Sequence, residues 1–88
     1  INMKAAVWDT YVKNKDGTIM NFDILVPEEE TNTEVIYGYG KEYLKTKSLP
    51  DYPLTSNHCT LCHFETPTDA VKESIHQKGY FIVEFKNC

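Results

Sequence analysis

Apolar and polar positions alternate most cleanly between Thr18 and Val26. Met20, Phe22, Ile24 and Val26 fall on one side, and Ile19, Asn21, Asp23 and Leu25 on the other. A period of two predicts a strand with one face in a core. Lys4 to Val12 holds no breaker and is rich in β-formers, so it predicts a second strand. Between them lies Lys13-Asn14-Lys15-Asp16-Gly17, ending in Asp-Gly, a pair that tolerates the positive φ of a tight turn. The two strands therefore read as a hairpin. A loop of these residues sets Val12 opposite Thr18 and Trp8 opposite Phe22. Ala6, Trp8, Thr10 and Val12 then join the apolar face.

After Pro27 the period lengthens. Val35, Ile36, Tyr39, Gly40, Tyr43 and Leu44 recur at helical spacing and predict a helix with one buried stripe, running to about Lys47. Thr31 and Glu34 have the spacing of a capping box. Glu28, Glu29 and Glu30 read as solvated acids that suit the positive end of that helix. Gly38 and Gly40 each cost about 1 kcal/mol in a helix. Gly40 lies on the stripe, so its missing side chain is expected to bring the helix close to the sheet. The tyrosines of the stripe read as core packing rather than a ligand platform. Pro50 and Pro53 punctuate a loop over Ser48 to Asn57. Thr66-Pro67-Thr68-Asp69 predicts a second helix start, with Thr66 as cap and Pro67 at the first helical position. That helix buries Ala70, Val71, Ser74 and Ile75, leaves His76 in solvent and stops at Gly79. Tyr80 to Lys86 is the last strand, with Phe81, Val83 and Phe85 toward the core.

The elements assemble as an α+β two-layer sandwich in which both helices pack on one face of a small mixed sheet. Residues 1–88 are expected to form one domain, with Ile1 and Asn2 ahead of a Met3 that reads as a natural start. The other sheet face then carries Val7, Tyr11, Ile19, Leu25, Tyr80 and Ile82 among Asp9, Asn21, Asp23 and Glu84. So apolar a face is open to two readings: self-association, as a homodimer through the open sheet face, or an ordinary surface with scattered apolar residues. Asp9, Asp23 and Glu84 are carboxylates of the type that binds a hard cation or does acid–base work. The simpler reading is a set of solvated face residues.

His58-Cys59-Thr60-Leu61-Cys62-His63 concentrates the reactive side chains. Cys59 and Cys62 have the spacing that chelates zinc, and Cys88 with His58 or His63 would complete Cys3His. Against this, a ribbon needs two such pairs, no glycine follows Cys62, and each histidine is adjacent to a cysteine. Cys59 to His63 also matches the CxxCH of c-type haem attachment, which belongs to exported proteins. A redox pair would sit at a helix N-terminus, and the next helix starts only near Pro67. The remaining reading is structural: a short strand, with Cys59, Leu61 and His63 on one face and Thr60, Cys62 and Phe64 on the other.

Composition narrows the class. Nine basic residues against thirteen acidic ones give a net charge of −4, which offers no footprint for nucleic acid. No apolar run approaches the roughly 18 residues of a membrane span. No signal-peptide pattern opens the chain, and three cysteines do not suit a secreted disulfide framework, so a cytoplasmic protein is expected. No nucleophile–base pairing, phosphate loop or HExxH pattern points to an enzyme, and no small-molecule ligand is indicated.

With these residues in view, the chain resembles a small bacterial family catalogued as domain of unknown function two-thousand-and-twenty-four. The resemblance covers nearly the whole length. VWDTYV at Val7 to Val12, the Asp-Gly turn with Met20-Asn21-Phe22-Asp23, and YGKEYL at Tyr39 to Leu44 carry it. LTS at Leu54 to Ser56, CxxCH at Cys59 to His63, and KGY at Lys78 to Tyr80 before the closing strand and Cys88 extend it. It implies a β-hairpin–α–β–α–β sandwich, and so a strand at the cysteine segment. It implies no activity and carries over no catalytic residue.

Overall fold

The computed structural model describes residues 3–88; Ile1 and Asn2 lie outside them. It is an α+β fold of four strands and two helices: β1 (Ala5–Lys13), β2 (Ile19–Pro27), α1 (Thr33–Lys45), β3 (Cys59–Glu65), α2 (Asp69–Lys78) and β4 (Phe81–Lys86). The predicted hairpin is β1–β2. Its register is displaced by two residues from the expected one, with Val12 opposite Met20 and Trp8 opposite Ile24. The turn explains the difference. Lys13 stays in the strand, and Asn14 N–H donates to Thr18 O at 2.8 Å. Asp16 Oδ1 takes the Thr18 N–H and hydroxyl at 3.0 and 2.7 Å, while Gly17 supplies the positive φ of 87°. A two-residue displacement keeps every side chain on its predicted face.

The sheet order is β3-β1-β2-β4, and every pairing is antiparallel, so the sheet is not mixed. Nor do both helices share a face. Ile36, Tyr43 and Leu44 of α1 pack on Ala6, Val12, Met20, Phe22, Ile24 and Val26. Val71 and Ile75 of α2 pack on Val7 and Leu25, which point the other way. The physical reason is that both faces of the central hairpin are apolar at one end, and one helix can cover only one of them. Gly40 is buried as expected. A Cβ there would stand 2.5 Å from Leu54 Cδ2 and 3.0 Å from Ile24 Cδ1, so the glycine does set the close approach of α1.

The last strand faces opposite to expectation. Phe81 and Val83 pack under α2, Tyr80 and Ile82 belong to the α1 side, and Phe85 is 60% exposed. The helix starts also move. Asn32, not Thr31, caps α1, its Oδ1 accepting from Glu34 N at 3.0 Å. Thr68, not Thr66, caps α2, accepting from Val71 N at 3.3 Å. Asparagine and threonine are both strong N-caps, and in each case the nearer candidate to the helix serves. Gly79 ends α2 as predicted, at φ 94°. No helix of the described residues is long and apolar enough to cross a membrane.

Candidate functional site

The cysteine segment is a strand, β3, at one edge of the sheet. Cys59 faces Thr10, Leu61 faces Trp8, and Phe64 faces Ala6, all on the α1 side. A bulge interrupts the alternation. Val7 pairs with His63 and Trp8 with Leu61, so Cys62 is an extra residue between them. That single insertion puts Phe64 where a regular strand would put His63.

The five residues considered as zinc ligands do not meet. Cys59 is buried and takes the Thr10 hydroxyl at 3.4 Å. Burial pushes its thiol above the usual cysteine range, although the Thr10 hydrogen bond opposes this. Cys62 is exposed on the bulge. Cys88 lies across the sheet, donating to Asn21 O at 3.2 Å. His58 Nδ1 accepts from Thr55 N at 3.1 Å, and its ring meets Tyr52 edge-on. His63 Nε2 sits 2.9 Å from Glu65 Oε1. All three cysteines are free, and among the described residues no three His, Cys, Asp or Glu side chains are grouped to hold a metal.

Of the three carboxylates singled out in the sequence, two come together. Asp9 and Asp23 are direct cross-strand partners on the α2 side. Glu84 pairs with Phe22 and so points to the α1 side, where it accepts from the Tyr43 hydroxyl and meets Lys47 Nζ at 3.0 Å. These two partners hold the Glu84 carboxyl below its ordinary range. Around the aspartate pair, Asn21 Nδ2 donates to Asp9 Oδ1 at 2.9 Å. Burial, then the hydrogen bond and charge of Asp9, push Asp23 up to about 6, while His63 works in the opposite direction. The Asp9 charge likewise raises Tyr11. A carboxyl so placed keeps its proton to a higher pH than a solvated aspartate and gives it up as pH rises through about 6. A shallow groove of about 590 Å³ lies beside them, between Tyr11, Ile19, Asn21 and Lys86, and neither aspartate lines it.

Because Asp23 rises on folding, the native state binds its proton more tightly than the unfolded chain. The associated stability is fully present below about pH 4 and is lost as pH rises through about 6. The full shift corresponds to about 3 kcal/mol, and screening at this partly exposed position reduces it to about 1. Asp23→Asn is therefore expected to gain about 1 kcal/mol at pH 7 and to flatten the pH profile between about 4 and 6. Urea midpoints for the two proteins across that range check it; coincident midpoints at pH 7 refute it.

Sequence reasoning missed a second feature, a hollow on the α1 side lined by Ala6, Trp8, Glu28, Glu30, Thr31, Leu61 and Phe64. Leu61 is 41% and Phe64 52% exposed. Only the bulge brings these two to the same side, and nothing in Leu61-Cys62-His63-Phe64 announces a bulge.

The chain matches the family model described as "Domain of unknown function (DUF2024)" over residues 3–85. It is similar to protein NE1680 from Nitrosomonas europaea, whose structure was determined by NMR. The two are 37% identical and superpose with a TM-score of 0.81, covering 98% of this chain and 99% of that one. No curated protein matches it. Neither the family description nor the neighbouring structure names a function.

Proposed function

We propose that this chain, which belongs to the DUF2024 family, is a non-enzymatic interaction protein that joins a second copy of itself along the free edge of β3. The sheet face expected to mediate such contact is covered at one end, where α2 buries Val7 and Leu25. The observation that carries the reading is the character of β3. It pairs with β1 alone, so its outer N–H and C=O groups are a template for another strand. Leu61 and Phe64 stand exposed along it.

The two sheet edges differ in how they are guarded. β4 carries Lys86, a residue that discourages edge pairing. β3 contains no lysine and no proline, and its one carboxylate, Glu65, is partnered by His63. Two β3 strands meeting antiparallel therefore face no strong like-charge repulsion. The bulge at Cys62 leaves regular strand on either side, Cys59 to Leu61 and His63 to Glu65.

Light scattering over a concentration series tests the reading. The unaltered protein is expected to reach dimer mass below about 1 mM, a concentration that corresponds to about 4 kcal/mol of association. The double substitution Leu61→Lys, Phe64→Lys is expected to stay monomeric with unchanged circular dichroism. A monomer at every concentration for the unaltered chain sinks the proposal.

A further inference from the structure

The hollow beside β3 has a composition that selects its occupant. Its volume is about 210 Å³. Ala6 and Trp8 come from β1, Leu61 and Phe64 from β3, and these four give it an apolar body. Glu28, Glu30 and Thr31, from the segment between β2 and α1, stand at its other side. Glu30 is held in place, its Oε2 accepting from Asn32 N at 3.2 Å. None of the lining residues is basic. Lys4, near the end of β1, is engaged elsewhere, with Nζ 2.9 Å from Thr66 Oγ1.

We propose that this hollow receives a lysine side chain presented by a partner protein. The volume falls below the roughly 300 Å³ at which small-molecule pockets begin, and suits a single side chain. Lysine joins an apolar stem to a charged head. The stem lies against Ala6, Leu61 and Phe64, and the ammonium reaches Glu28 and Glu30. Trp8, the chain's single tryptophan, adds an aromatic wall of the kind that attracts cations. An anionic occupant meets two carboxylates without a counter-charge. A purely apolar occupant leaves those carboxylates unused. The chain's own charge of −4 favours a basic partner over another copy at this site. The inference shares Leu61 and Phe64 with β3 self-pairing but rests on Trp8, Glu28 and Glu30, which that pairing does not use.

Trp8 is the chain's single tryptophan and lines the hollow, so its buried indole N–H gives one assignable resonance beside the site. The probe is N-acetyl-lysine methylamide, compared with the norleucine analogue, which has a four-carbon stem and no charge. The lysine derivative is expected to shift the Trp8 resonance saturably in the millimolar range, as suits a single exposed contact, with the norleucine derivative at least about threefold weaker. The rim substitutions Glu28→Gln, Glu30→Gln are expected to abolish that difference. Equal response to both derivatives overturns the proposal. So does no response up to about 100 mM, or a lysine preference that survives the double substitution. The readout works for monomer or dimer, so failure here is separable from failure of self-association.

Discussion

Gly79→Ala is expected to lower stability by about 2–4 kcal/mol, the sum of two separate penalties. The first is conformational. Gly79 sits at φ 94°, ψ −14°, where a Cβ meets the backbone. The second is steric. A Cβ there would run into the hydroxyl of Tyr39 and lie 2.9 Å from its Cζ. Tyr39 has little room to retreat, because it stacks on Tyr80 with ring centroids 4.5 Å apart. Moving it also disturbs Tyr80, whose ring lies 4.8 Å from Lys78 Nζ. One methyl group thus breaks the cap of α2 and the seam between α1 and β4. Gly38 is the internal control. Its added Cβ meets nothing within 4 Å in a helix interior, so Gly38→Ala is expected to gain about 0.5–1 kcal/mol. Chemical denaturation of the two variants measures both signs. A loss below about 1 kcal/mol for Gly79→Ala contradicts the argument.

Phe22→Ala is expected to cost about 3–5 kcal/mol, the largest single loss in the molecule. Phe22 is fully buried on the α1 side of the inner strand β2. Its ring lies 4.7 Å from that of Tyr43, tilted by 53°. Removing it takes away transfer energy and leaves a void that Tyr43 cannot fill, because the Tyr43 hydroxyl is tied to Glu84. Burial and that hydrogen bond both hold the Tyr43 phenol protonated well above its ordinary range. Phe85→Ala, at 60% exposure, removes the same atoms from the surface and is expected to cost under about 0.5 kcal/mol. The comparison checks that burial, not residue type, sets the cost. Similar losses for the two variants would overturn it.

What could be read from the sequence depended on contrast between the two faces of each element. β2 was legible because Asn21 and Asp23 interrupt its second face. β4 was not, since Tyr80, Phe81, Ile82 and Val83 are apolar in succession and a period of two has no preferred phase there. Reversing that phase concealed where α2 packs, and with it the second core of Val7, Leu25, Val71 and Ile75. Leu49 and Leu54 are buried from within a loop and carry no periodic signal. At the candidate site the strand character of Cys59 to Phe64 was legible, and so was Cys59 as a core residue. The roles of Cys62, His63 and Phe64 depend on one inserted residue, which shifts direction without leaving a mark in composition. Asp9 and Asp23 share a sheet face on the sequence pattern alone, and the observed register makes them direct partners. Glu84 was misplaced with them because the phase of β4 was inverted.

The strand order β3-β1-β2-β4 has a consequence for synthesis on the ribosome. The first strands made are the innermost, and both borders of the sheet come from the second half of the chain. The nascent hairpin can close early, but Val7 and Leu25 have no cover until Val71 and Ile75 emerge. The outer side of β2 stays unpaired until Phe81 to Lys86 follow. For most of translation the growing chain therefore shows its future interior, and completion of the final strand closes that interval of vulnerability.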